Sequence, residues 1–375
     1  YEASGPGLQE RALPSGTYEV CVDPRTELLY SALSVTGWGQ RALTRTRLAY
    51  KDEILELAGR KLEHPAVLLA SRLASGDFIF DAPFGFILHH GRPPQLRRLV
   101  PYPSSLTTRA GWAISPRSAG PPNPSSLRSM RLQGQRILET FASHLRGFCK
   151  EIGFIGFFRE HGGFYEGMVD SIEERLEGER ICRFLEDYFG DSLDGYALIL
   201  CPLVKGGISF RVATHRRGGT AYAALGPSGS RRGKPVFDTR IGLEIMLVHE
   251  LAHQFVNPVV EANMARVEET SRLFKPIIGT ILKRAGEYTA WWVVVCEHLI
   301  RAMTYRYLVQ TYGQRKAERN LRSQLWQGFA YIDHFVSLLE RYEKQRVRYP
   351  TLSSFFPTVA DSLRGLATGF PTAQH

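Results

Sequence analysis

One stretch of the sequence, residues 241–257 (IGLEIMLVHELAHQFVN), places His249, Glu250 and His253 inside an almost continuous apolar run. Apolar residues cover nearly every face of a helix drawn through this stretch, which predicts a buried helix that ends at Asn257-Pro258. His249 and His253 lie four positions apart and therefore share one face of that helix. Buried imidazoles cost free energy unless a partner pairs with them. We therefore expect a metal ion bound by His249 and His253.

The glutamate of the same motif, Glu250, has a different predicted role. It lies about 100° around the helix from His249, so it can reach a metal-held water without being a ligand itself. Two neutral nitrogen ligands, a polarised water and a carboxylate base are the groups that zinc-assisted hydrolysis needs. The HExxH pattern therefore predicts one catalytic Zn²⁺ ion with Glu250 as general base.

A tetrahedral catalytic zinc ion needs a third protein ligand and keeps its fourth position for water. Residues 254–264 contain neither His nor Gly, so a third histidine close downstream of the motif is absent. Glu297 is the strongest candidate, because it is the carboxylate of a second apolar, helix-compatible run at 291–308 (WWVVVCEHLIRAMTYRYL). Three glutamates lie nearer in sequence, in a polar pattern typical of a solvated surface: Glu261, Glu268 and Glu269.

An HExxH helix followed by a glutamate on a later helix resembles the gluzincin branch of the zincin-like metallopeptidases. Several segments are also similar to an uncharacterised bacterial family that carries a domain of unknown function and is presumed to contain peptidases: VDPRTELL, HPAV, GFYEGMV, VHELAHQFVNP, EHLIRA and YEKQRVRYPTLSSFFP. The similarity extends over most of residues 16–365. It implies a zincin-like region in which the HExxH histidines and Glu297 are ligands and Glu250 is the base.

Arg301 departs from the gluzincin pattern, since many gluzincins carry an acidic residue four positions after the ligand glutamate. Arg301 can pair with Glu297 or stabilise a developing oxyanion, and the sequence leaves both roles open. The oxyanion formed by attack on a carbonyl carbon needs a donor besides the metal. Tyr305, two helical turns after Glu297, and His298 are the other candidate donors, and each has an equally simple structural role as an alternative.

Peptide substrates commonly bind as an added strand at the edge of a sheet. Residues 220–225, shortly before the HExxH helix, form the predicted edge strand, with Tyr222, Ala223 and Ala224 as the expected contacts of the substrate backbone. These features together predict a zinc metallopeptidase acting on a peptide or protein. Two alternatives use the same residues: a zinc hydrolase of a non-peptide amide or ester, and a catalytically inactive zincin-like binding module.

The remaining sequence predicts an α+β fold in two regions that follow a loose N-terminus at 1–15. Residues 16–127 are expected to form an N-terminal α/β subdomain that ends in a Pro/Ser-rich connection, with strands at 18–22 and 78–80, helices at 25–33 and 65–74, and the connection at 101–127. Residues 128–375 are expected to form the zincin-like catalytic region, a small mixed sheet plus the HExxH helix and a mostly helical C-terminal half. Its predicted strands lie at 195–204, 207–213 and 220–225, and its first helices at 131–151, 155–178 and 181–189, the last closed by Gly190.

Charge and composition exclude some partners. The chain has 47 Lys and Arg against 37 Asp and Glu, a formal net charge of +10, which raises the question of nucleic acid. No nucleic-acid-binding motif accompanies the charge and arginines are spread through every segment, so no nucleic-acid partner is expected. No apolar run is long enough for a transmembrane segment. The five cysteines lie among apolar neighbours without a CxxC pair, which favours buried thiols.

The first residue is Tyr rather than Met, which fits both a removed signal peptide and a boundary within a longer sequence, and the sequence does not separate the two. The compartment therefore stays open, with an exported protein, periplasmic or secreted, favoured over a cytoplasmic one. The sequence does not indicate the oligomeric state.

Overall fold

The computed structural model describes residues 17–43, 46–76, 78–114, 124–213, 218–286 and 288–369, so the predicted loose N-terminus lies outside the described residues. The protein is mixed α+β, 67% helical with a small mixed sheet. The chain forms two compact units: Tyr1–Glu179 with Leu193–Glu244, and Arg180–Ser192 with Ile245–His375. This division does not coincide with the predicted boundary near residue 127.

The first unit contains a four-stranded sheet in the order β1-β2-β4-β3. Its strands are β1 (Thr17–Cys21), β2 (Gly195–Leu200), β3 (Gly207–Val212) and β4 (Thr220–Leu225). Strand β2 pairs in parallel with β1, where Thr17 lies opposite Gly195, and in parallel with β4, where Gly195 lies opposite Thr220. Strand β3 is antiparallel to β4. The strand predicted near residue 18 thus belongs to the same sheet as the strands predicted for the second region, because parallel pairing joins segments far apart in sequence.

Strand β4 is an inner strand and not the predicted edge strand. Its backbone pairs with β2 on one side and with β3 on the other over all six residues. A strand that is paired on both sides has no free row of N–H and C=O groups for a further strand. The prediction that Tyr222, Ala223 and Ala224 bind a substrate backbone at a sheet edge is therefore wrong. The edges of this sheet are β1 and β3.

Nine helices and a short hairpin complete the first unit among the described residues. They are α1 (Pro24–Ser34), α2 (Gly37–Ala42), α3 (Ala49–Gly59), α4 (Pro65–Ser75), α5 (Asp81–Leu88), α6 (Ser104–Ile114), α7 (Pro124–Glu151), α8 (Phe154–Glu160), α9 (Gly162–Glu173), and the hairpin of β5 (Gly229–Arg231) and β6 (Lys234–Val236). Asp23 caps α1 by accepting a 2.8 Å hydrogen bond from Arg25 N, and Pro24 takes the first helical position. Local signals thus predicted α1 and α4 correctly.

Two predictions for the N-terminal region are wrong. Residues 78–80 do not form a strand, because the chain turns at Phe80, whose φ is 56°, and enters α5 at Asp81. The segment 101–127 is not wholly a connection, because α6 occupies Ser104–Ile114 and packs along α7. The Pro and Ser residues of this segment mark helix ends as well as loops.

The described residues of the second unit form helices and connections, with no strand among them. Its helices are α10 (Gly178–Phe189), α11 (Arg240–Ala262), α12 (Met264–Glu268), α13 (Lys275–Arg284), α14 (Trp291–Tyr312), α15 (Gln314–Gln327), α16 (Ile332–Lys344) and α17 (Leu352–Thr368), with a 3₁₀ turn at Ser271–Leu273; α10 and α11 begin in the first unit. Helix α14 packs against α15 and α16. Within the described ranges, none of the helices combines the length and apolar character needed to cross a membrane.

Candidate metal centre

Helix α11 carries the HExxH motif and is longer than predicted. It continues through Asn257-Pro258 to Ala262, with Pro258 inside the helix. Proline removes one hydrogen bond of the helix and commonly bends it, but the flanking turns are retained here. Asn257 therefore lies within the helix, one turn after His253, instead of at its end.

Three side chains from two helices meet in the second unit: His249 and His253 of α11 and Glu297 of α14, which we call the metal triad. Nε2 of His249 lies 3.7 Å from Oε2 of Glu297, and Nε2 of His253 lies 3.5 Å from Oε1 of the same carboxylate. One ligand atom from each residue lies within 4.8 Å of the other two, the one such cluster among the described residues. The structure thus brings together the three predicted ligands and can hold one metal ion there.

The donor set of the metal triad fits zinc. Ligands of a tetrahedral zinc ion, each about 2.0–2.2 Å from the metal, lie about 3.4 Å from one another, close to the two separations in the triad. His253 donates a hydrogen bond from Nδ1 to Oδ1 of Asn257 at 3.1 Å. This hydrogen bond places the ring proton on Nδ1 and leaves the lone pair of Nε2 on the side of Glu297.

The ionisation of the triad also suits metal binding. Burial lowers the pKa of His249 to about 3, so its imidazole is neutral at neutral pH. Burial opposes the ionisation of Glu297, which is 4% exposed, but the charges around it, that of Arg301 first, lower the pKa of Glu297 to about 2. A metal ion consequently displaces no proton from either His249 or Glu297.

Arg301 pairs with Glu297, one of the two roles that the sequence left open. Its Nε and Nη2 lie 3.0 Å and 2.9 Å from Oε2 of Glu297. Its Nη1 donates to Oε1 of Gln324 on α15, and its guanidinium lies 4.0 Å from the ring centroid of Phe329. These contacts hold the guanidinium against the ligand carboxylate.

Nothing in the sequence singled out Tyr288, which lies just before α14. Its hydroxyl accepts a long 3.4 Å hydrogen bond from Nη2 of Arg301, the nitrogen that also contacts Glu297. Burial and the charges of Glu297 and Glu250 raise the pKa of Tyr288 to about 12, so the phenol keeps its proton at neutral pH. No described residue accepts that proton, and the side chain is half-buried. Tyr288 has no characteristic spacing from the HExxH motif, so only the tertiary structure identifies it as a candidate site residue.

The other predicted site residues occupy different surroundings. Glu250 is 9% exposed, and its charge acts on the phenol of Tyr288. The hydroxyl of Tyr305 accepts a 2.9 Å hydrogen bond from Gln314, and the residue is 4% exposed. No described hydrogen bond links Tyr305 to the triad.

His298 is fully buried in an aromatic cluster. Its Nδ1 donates to the carbonyl oxygen of Val294 at 2.7 Å, and its ring packs against Phe329, Tyr331 and Phe335. Because no face of the ring is open to solvent, the prediction of His298 as a donor to substrate does not fit this structure.

Comparison with known proteins identifies a family. The family described as a domain of unknown function (DUF4932) matches residues 127–361, which include every residue of the metal triad and its hydrogen-bonding partners. No curated protein and no solved structure is significantly similar to the chain. The match covers more than half of the chain, which therefore belongs to the DUF4932 family.

Proposed function

We propose that this chain is a zinc-dependent metallopeptidase that hydrolyses peptide bonds, with Glu250 as general base. The supporting observation is the approach of Glu297 to both HExxH histidines, with each Nε2 facing a different oxygen of one carboxylate at 3.5–3.7 Å. Two imidazoles and one carboxylate are the ligand set of many catalytic zinc ions. The gluzincin and zincin-like character of the helical region is part of the same proposal.

The triad and Glu250 have different roles in the proposed reaction. A zinc ion bound by the triad supplies Lewis acidity, which polarises a carbonyl group and makes a water molecule more acidic. Glu250 accepts a proton from the water that attacks the carbonyl carbon and passes it to the leaving nitrogen as the C–N bond breaks. The position of Glu250 directly after His249 on α11 supports this role.

The negative charge that develops on the carbonyl oxygen needs a hydrogen-bond donor. Tyr288 replaces the donors predicted from sequence, since its phenol is protonated, half-buried and without an acceptor among the described residues. Arg301 is already engaged by Glu297, Gln324 and Tyr288, so we assign it to the support of the ligand shell.

The test combines metal analysis with a proteome-derived peptide library, applied to wild type, Glu250→Gln and Glu166→Gln. Glu166 is an exposed glutamate of α9 and serves as the matched control. We expect about one zinc ion per chain in all three proteins, and peptide cleavage that is lost only in Glu250→Gln.

Two results would overturn the proposal. If folded wild type binds no zinc, the proposed metal centre and every function that depends on it are wrong. Wild type that binds zinc but cleaves no peptide removes the peptidase assignment, and a panel of non-peptide amides and esters then separates a different hydrolase from an inactive binding module.

A further inference from the structure

Arg301 lies against the ligand carboxylate of the proposed metal site, on which its role depends. Oε2 of Glu297 lies between His249 and Arg301. It is 3.7 Å from Nε2 of His249, and it is 3.0 Å from Nε and 2.9 Å from Nη2 of Arg301. The Arg301 side chain is 12% exposed and that of Glu297 is 5% exposed. Because little water screens this pair, the positive charge acts strongly on the ligand carboxylate.

Arg301 has little freedom to leave Glu297. Nη1 donates to Gln324, Nη2 also reaches the hydroxyl of Tyr288, and the planar group stacks on Phe329 at 4.0 Å. Its donors thus point to protein groups on α15 and on the segment before α14. Arg301 therefore acts on the metal through Glu297, as a positioning residue, and does not bind the substrate directly.

The direct partners of the metal triad add no negative charge to it. Glu297 is the one anionic member of the triad, and Arg301 offsets its charge. The outer partner of His253 is the neutral amide of Asn257, where a carboxylate would make the imidazole a stronger electron donor. Glu250 adds a negative charge beside the centre, but as the residue after His249 it is not one of the triad.

We propose that Arg301 keeps this metal centre electron-poor. By sharing Oε2 of Glu297, the guanidinium limits the electron density that this ligand gives to a metal ion, and its charge repels the ion. The centre then binds its metal more weakly than the same three ligands would without the arginine. In return, the bound ion retains more positive charge and attracts anions and polarised carbonyl oxygens more strongly.

The sign of one measurement separates this role from a merely structural one. Loss of an outer-shell residue that only orients a ligand typically weakens metal binding about 10- to 100-fold. Removal of a repelling charge strengthens metal binding instead, here by about tenfold or more at the separations of this pair. The variants are Arg301→Gln and Arg301→Met, both neutral, with Arg301→Lys as the matched control that keeps the charge.

The experiment measures zinc affinity by competition with a chromophoric chelator, and azide affinity by titration of the cobalt-substituted proteins. We expect both neutral variants to bind zinc at least about tenfold more tightly than wild type and to bind azide more weakly, while Arg301→Lys stays close to wild type. Circular dichroism identifies any variant that does not fold, and Arg301→Met retains the packing on Phe329 if Arg301→Gln loses it.

Neutral variants that bind zinc equally well or more weakly overturn the inference and leave the peptidase proposal intact. Conversely, if wild type binds zinc but cleaves no peptide, the zinc and azide affinities still test the role of Arg301, because neither affinity depends on catalysis. Wild type without any metal affinity overturns both.

Discussion

Oδ1 of Asn257 accepts a hydrogen bond from Nδ1 of His253 at 3.1 Å, one turn further along α11. Both residues lie within this helix, which continues through Pro258 to Ala262. It selects the ring tautomer that leaves Nε2 of His253 free for a metal. An asparagine one turn after the second histidine of HExxH is therefore part of the candidate metal centre.

Asn257→Ala should weaken zinc binding about 10- to 100-fold, because His253 loses the acceptor that sets its tautomer and ring orientation. Chelator competition measures the change. Asn257→Asp is the control: it keeps an acceptor oxygen and should bind zinc at least as tightly as wild type. Equal affinities of wild type and Asn257→Ala would show that His253 is held by helix packing alone.

Tyr288→Phe should lower kcat about 100-fold with little change in KM or zinc content, because one donor to the developing oxyanion is lost. The variant should also bind a phosphinic transition-state analogue more weakly, which calorimetry measures without turnover. Tyr349, a half-buried tyrosine against Phe355, provides the control Tyr349→Phe, for which we expect wild-type kinetics. An unchanged kcat in Tyr288→Phe would show that another group donates to the oxyanion.

Gly134→Ala should destabilise the first unit, because a Cβ at this position of α7 would lie 1.8 Å from the carbonyl oxygen of Thr107 on α6. The clash is with backbone, so the helices must separate, at a cost of about 1–3 kcal/mol. Gly167→Ala on the exposed face of α9 is the control, since its Cβ meets nothing within 4 Å. That variant should gain about 0.5–1 kcal/mol from helix propensity. Urea unfolding of both variants measures the difference, and a neutral Gly134→Ala would mean that α6 and α7 shift freely.

Glu27 makes the stability of the first unit depend on pH. It is fully buried in α1, and Tyr50 donates a hydrogen bond to its Oε2. Burial raises its pKa to about 7 from an ordinary value of 4.5. The folded state therefore holds a proton that the unfolded chain releases at lower pH. The stabilisation that this proton gives to the folded state is complete below pH 4.5, falls as the pH rises, and is lost above pH 7.

Glu27→Gln removes this dependence because glutamine cannot ionise. Between pH 4 and pH 8, wild type should lose about 3 kcal/mol of unfolding free energy relative to the variant. Thermal or urea unfolding at a series of pH values measures it. Glu63→Gln, at an exposed glutamate, should show no such trend, and a flat profile for Glu27→Gln would mean that Glu27 is ionised throughout.

Local structure was largely predictable, because its signals lie within a few residues of each other. Asp23-Pro24 marks the start of α1, and Gly190, with φ of 67°, closes α10. The spacing of His249 and His253 places two imidazoles on one helix face wherever that helix packs. The end of α11 was mispredicted because a proline is tolerated within a helix whose other turns are retained.

Pairings between distant segments were not predictable in the same way. The inner position of β4 depends on hydrogen bonds to both β2 and β3, and the N-terminal strand β1 enters the sheet next to β2. Alternating or apolar side chains identify a strand, but they carry no information on which neighbours flank it. A substrate-binding edge placed on β4 was wrong for this reason.

The sequence by itself determined the chemistry available to this protein: two imidazoles and a carboxylate base at fixed helical spacing, and a buried glutamate on a second apolar run. Only the tertiary structure decided which groups surround them. Arg301 faces Glu297 from one turn along the same helix, but Gln324, Phe329 and Tyr288 reach it from other segments. Helical periodicity acts over one or two turns and so can be read from sequence, whereas contacts between segments form only when packing brings their surfaces together.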